Sequence, residues 1–177
     1  MKQPTDKVRL NLGVMLLVLV FFGLAVVYLT IVLSSHDFLW FEKGFSDIPA
    51  RVDVYQDGQR TEYLPGQNGY IELAVAIRKC LNEGVAHSSG VGMGKQTLAD
   101  SYSKFVTVEA FFDAPIKIHA PFDTGSPTQL LFPITGSDAG QKIVFLGVNK
   151  VYLSNSPALN NIQPLINALQ VLNYRTE

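Results

Sequence analysis

The chain of 177 residues is poor in the residues that usually announce chemistry. It has one cysteine, Cys80, one tryptophan, Trp40, and three histidines. A single cysteine excludes an internal disulfide and leaves a buried, inert thiol or a bond to another chain; its place on the core side of a predicted helix favours the first. His36, His87 and His119 are scattered, and no CxxCH occurs, so zinc, copper and haem spacings are all missing. Cations are not clustered, with 14 Lys+Arg against 15 Asp+Glu, so the phosphate-binding surface that nucleic acid requires is not there. Internal repeats are lacking too. The carboxylates Glu62, Glu72 and Glu109 are dispersed and read as solvated faces.

Charge is missing altogether from Leu10 to Ser35. A helix over this run is roughly 36 Å long, enough to cross a hydrocarbon layer of about 30 Å. The run is too long for the apolar core of a cleaved signal peptide, and Val32-Leu33-Ser34-Ser35 makes a poor cleavage site. Lys2, Lys7 and Arg9 precede it, whereas Asp37, Glu42 and Lys43 follow, which predicts a cytoplasmic N-terminus. The expected organisation is a cytoplasmic segment 1–9, a transmembrane helix 10–35, an interfacial aromatic linker 36–48 and an extracytoplasmic domain 49–177. Phe38, Trp40, Phe41 and Phe45 are the candidate contacts to the lipid interface or to a partner subunit.

Beyond the linker, Arg51 to Tyr55 alternates in the strand period, Asp57-Gly58 is a hairpin signal, and Arg60 to Leu64 returns as a second strand. Tyr70, Leu73, Ala74, Ile77 and Leu81 fall at helical spacing, with Gly84 placed to end the helix. A Gly/Ser-rich loop, Ala86 to Lys95, leads to a short helix near 96–104. Strands are expected at 106–110, 116–118, 128–134, 142–148 and 151–153. Ser156-Pro157 reads as the start of a last helix whose apolar face is Leu159, Ile162, Ile166, Leu169 and Leu172, with Pro164 kinking or delaying it. The predicted fold class is α+β, a mainly antiparallel sheet with one face covered by the two longer helices.

Two motifs invite a catalytic reading and fail on spacing. Phe122-Asp123-Thr124-Gly125-Ser126 resembles the catalytic loop of aspartic proteases, and Val144-Phe145-Leu146-Gly147 resembles a later segment of them. Too few residues separate the two for the intervening strands and flap, so a turn is the simpler account. Gly90 to Lys95 resembles a phosphate loop but has Ser89 and Gln96 where that motif needs Gly and Ser/Thr, which argues against a nucleotide.

From Ile48 onward the pattern is similar to a group of membrane-anchored extracytoplasmic proteins of filamentous phototrophic bacteria that carries no assigned activity. The likeness lies in Ala50 to Tyr55 with Gly58, Thr61-Glu62-Tyr63, Pro65-Gly66, Ile118-His119-Ala120-Pro121, Thr128 to Ile134 with Gly136, and Val144 to Gly147. It implies a setting rather than a chemistry. The expected function is a non-catalytic accessory or scaffold subunit of a larger membrane complex, such as a photosynthetic or respiratory electron-transfer assembly. It would have the bilayer and other subunits as partners, and no cofactor, metal or catalytic residues. A membrane-tethered ligand- or peptide-binding sensor is the alternative, and a hydrolase the third.

Overall fold

The computed structural model describes residues 11–154 and 156–176. Leu10 and the predicted cytoplasmic segment 1–9 lie outside the described residues. Helix α1 runs Leu12–Ser35, and the Asn11 side chain caps it by accepting from the Gly13 N–H. Nearly every large side chain along it is exposed, and only Val32 and Ser35 are buried. This helix is long and apolar enough to span a membrane.

The rest is α+β. Strands β1 (Arg51–Gln56), β2 (Gln59–Tyr63), β4 (Thr107–Phe111), β5 (Gln129–Pro133), β6 (Phe145–Val148) and β7 (Val151–Tyr152) form one antiparallel sheet in the order β2-β1-β4-β5-β6-β7. The β1–β2 hairpin closes on Asp57 and Gly58, whose φ values of 54° and 78° are both positive, as a primed two-residue turn requires. Strand alternation places Val52, Val54, Val108, Ala110, Leu130, Phe132 and Leu146 on one face. Helices α2 (Tyr70–Asn82) and α4 (Gln163–Val171) cover that face with Leu73, Ile77, Leu165 and Leu169. Cys80 lies in this core, fully buried, and burial pushes its thiol up to about 11.

The opposite face is not the solvated surface that its polar residues predict. Helix α3 (Lys95–Ser103) and the preceding loop lie over it, packing Val91, Met93, Leu98 and Tyr102 on Leu131, Ile143 and Phe145. Glu109 is therefore completely buried, a correction to its reading as a solvated carboxylate. Exposed Glu62 and Glu72 do face water.

Three further differences concern the C-terminal half. Residues 116–118 keep the strand alternation, with Ile116 and Ile118 buried, but lie outside both sheets; the Ile116 N–H instead donates to the Pro127 carbonyl. Val85–Ser88, expected to be mainly loop, is strand β3, paired with β8 (Pro157–Leu159). Ser156-Pro157 therefore opens a strand, not a helix, and α4 starts at Gln163 with Pro164 in its first turn. There the missing proline N–H costs no helical bond, so Pro164 begins the helix without kinking it.

Candidate functional site at the end of the apolar helix

Helix α1 ends on His36, whose φ of 54° puts it in the left-handed region and turns the chain sharply. Asp37 follows and is tucked against the domain that comes after it, where only 3% of it remains exposed. A carboxylate there must be fully hydrogen-bonded or it destabilises the fold. Three groups supply that: the Leu39 N–H at 3.0 Å, the Lys117 ammonium at 3.1 Å and His119 Nδ1 at 2.7 Å. Burial pushes the Asp37 pKa up, but the hydrogen bonds from His119, Leu39 and Lys117 outweigh it and hold the group below its ordinary value.

The alternation at 116–119 explains how both basic side chains arrive together. Ile116 and Ile118 anchor this extended segment in the core, so Lys117 and His119, on its other side, reach Asp37. Above the carboxylate, the Ser35 hydroxyl donates to the Ile31 carbonyl and accepts from the Asp37 N–H, while the Tyr28 hydroxyl donates to the Phe38 carbonyl. The helix end is thus joined to the domain that follows it through the contacts of Asp37 with Lys117 and His119.

Around this junction the aromatic residues divide. Phe38 and Phe41 are 69% and 60% exposed, and Leu39 stands out beside them. Trp40 is half-buried, edge-on to Phe41, and its indole N–H has no partner among the described residues. Phe45 is in the core, edge-on to Phe112, so it is no part of the exposed collar and is not available as a contact.

Asp123 sits near the same junction. Its Oδ1 accepts from the Gly125 N–H at 2.8 Å, the mark of an Asx turn, and Oδ2 lies 3.9 Å from His36 Nδ1. Gly147, the glycine of the second protease-like segment, has a local reason: a Cβ there would stand 2.8 Å from the Tyr152 ring. That close approach lays Tyr152 across β6 toward Glu109.

Glu109 anchors a second polar cluster, between the sheet and α3. Tyr55 and Tyr102 donate to its Oε2 at 3.3 and 3.1 Å, and the Tyr152 hydroxyl donates to Oε1. Its neighbour across the sheet is Asp53, also buried, which pairs with Arg60 at 2.9 Å and Arg51 at 3.3 Å. Burial raises the Glu109 pKa against the opposing hydrogen bonds of Tyr152 and Tyr102. The three phenols are pushed well above their usual range, chiefly by burial and then by the adjacent carboxylate, so they remain donors at any ordinary pH. Sequence reasoning missed both clusters. The available signal was His119 and Lys117 alternating with isoleucines, and an acid alternating with valine and alanine in β4.

Among the described residues no group of three or more His, Cys, Asp or Glu side chains is placed to hold a metal ion. No family model matches the chain, and neither a curated protein nor a solved structure matches it.

Proposed function

We propose that this chain is a single-pass membrane protein whose outer domain serves as a non-catalytic accessory or scaffold subunit of a larger membrane complex. The cationic flank Lys2, Lys7 and Arg9 supports a cytoplasmic N-terminus, with the domain on the far side of the membrane. The observation that carries the reading is the Asp37–His119–Lys117 junction. It fixes the domain on the end of its anchor, so the domain's exposed apolar surfaces meet a neighbour at a set height and angle above the bilayer. Those surfaces are the Phe38–Phe41 collar and the outer side of α2 and α4, where Ile71 and Val171 are 65% and 73% exposed. A photosynthetic or respiratory electron-transfer assembly is one complex that such a subunit would serve.

Native membranes solubilised in mild detergent test this directly. The chain is expected to migrate with larger partners, and cross-links from the collar are expected to reach them; a chain migrating alone sinks the reading. The cleft of about 440 Å³ between α2 and α4, lined by Ile71, Val75 and Val171 with Glu72 and Lys79 beside them, supports the second reading, a ligand-binding sensor.

A further inference from the structure

A cavity of about 510 Å³ opens beside the end of α1, between Ser35–Asp37, residues 115–117 and the turn 123–126. Its charges are not balanced by the domain's own contacts. Asp37 is satisfied by three donors, one of them the Lys117 ammonium. Lys117 is 54% exposed and holds Asp37 through one of its three N–H groups, leaving donors free at the cavity wall. Asp123 is 52% exposed and has no cation within hydrogen-bonding distance, His36 standing 3.9 Å away. The Ser126 hydroxyl, also exposed, has no partner among the described residues. The cavity therefore offers a carboxylate in need of a cation, with an ammonium and a hydroxyl suited to an anion.

Position selects among molecules with that pattern. On the membrane-anchored reading, on which this inference rests, a 24-residue helix ends at the level of the lipid headgroups. We propose that the cavity binds a zwitterionic phospholipid headgroup of the phosphoethanolamine class, its primary ammonium on Asp123 and its phosphate on Lys117 and Ser126. The lining discriminates between headgroups. A trimethylammonium has no N–H to give a carboxylate and is recognised instead by cages of Trp, Tyr or Phe, none of which lines the cavity. An anionic phosphoglycerol meets Asp123 with the wrong sign.

The test uses the full-length chain in nanodiscs of mixed phosphatidylcholine and phosphatidylethanolamine, with retained lipid counted by native mass spectrometry. Phosphatidylethanolamine is expected to be enriched over phosphatidylcholine roughly threefold to fivefold, the size of a half-exposed ion pair. Asp123→Asn is expected to erase the enrichment, and Asp113→Asn, an exposed acid outside the cavity, to leave it intact. Equal retention of the two lipids, or enrichment that survives Asp123→Asn, overturns the proposal. Saturable binding of free glycerophosphoethanolamine in detergent, without lipid enrichment, assigns the site to a soluble zwitterion and overturns the lipid assignment. Alkaline extraction of the chain from liposomes, scored separately, shows failure of the membrane-anchored reading itself.

Discussion

Among its described residues the molecule buries three carboxylates, Asp37 at one place and Glu109 with Asp53 at another, and holds Asp37 and Glu109 in opposite ways. At the end of α1, Asp37 is held by two basic side chains and a backbone N–H. Between the sheet and α3, Glu109 is held by three phenols, with its nearest acidic neighbour, Asp53, claimed by two arginines. The first solution stabilises the charged acid and lowers its pKa; the second leaves burial dominant, and the pKa rises. The junction near Asp37 borders a solvent-open cavity, where a charge network can couple the helix to the domain. The Glu109 site lies inside a three-layer domain, where three neutral phenols satisfy its oxygens and the arginines beside it pair with the second buried carboxylate, Asp53.

The largest expected effect comes from emptying the inner site. Glu109→Ala leaves three phenol hydroxyls without their acceptor and opens a cavity beneath α3. Buried groups left unpaired cost about 1–3 kcal/mol each, so a loss of about 3 kcal/mol or more is expected in urea unfolding of the solubilised chain. Glu109→Gln keeps one acceptor oxygen and much of the volume, and should cost about half as much. If the alanine variant loses under about 1 kcal/mol, the tyrosines find other partners and the contrast with Asp37 collapses.

Asp37→Asn is expected to cost less, about 1–2 kcal/mol. Lys117 is half-exposed and returns to water, so the Coulombic part of its contact is largely screened. The more telling readout is the distance spread between spin labels placed on α1 and on the exposed hairpin turn. It is expected to broaden in Asp37→Asn and to stay narrow in Glu109→Gln, because only the first variant loosens the junction.

The two sites also predict opposite responses to pH. Glu109 has a folded-state pKa above its unfolded value, so its contribution is fully present below the unfolded value and is lost as pH rises through the folded one. Asp37 has a depressed pKa, so its contribution is present above the unfolded value near 3.8 and is lost as pH falls through the folded one. Acidification from neutrality is expected to raise stability until the carboxylates of the Asp37 kind begin to protonate. Glu109→Gln should flatten the rise and Asp37→Asn the acid-side fall, neither by more than about 1.4 kcal/mol per pH unit. A rise that is the same in wild type and Glu109→Gln contradicts the assignment to Glu109.

Why one part of this was legible in sequence and another was not follows from range. The apolar helix, the Asp57-Gly58 hairpin and helix α2 are written in local periodicity and turn chemistry, and they stand where that pattern puts them. The alternation at 116–118 was read correctly as period two, yet strand membership needs a partner, and these residues have none in either sheet. Pro157 and Pro164 both suit a helix start, and only the pairing of 157–159 with β3 decides between them. The acid in β4 looked solvated because half-covered sheets show that alternation, and the covering helix α3 is only nine residues with a weak pattern. The partners of Asp37 are some 80 residues away, a separation that no periodicity encodes.

The smallest expected effect belongs to an exposed carboxylate, Asp123, which separates burial from mere proximity. It shares the cavity with Asp37, yet it is half-exposed, the His36 ring stands 3.9 Å away, and its one internal partner is the Gly125 N–H of its own turn. Asparagine can form the same Asx turn, so Asp123→Asn is expected to change stability by less than about 0.5 kcal/mol. A larger loss at neutral pH means that Asp123 and His36 couple in solution more closely than their separation implies. A loss near zero leaves Asp37 as the carboxylate that ties the helix to the domain, and Asp123 free to meet a ligand.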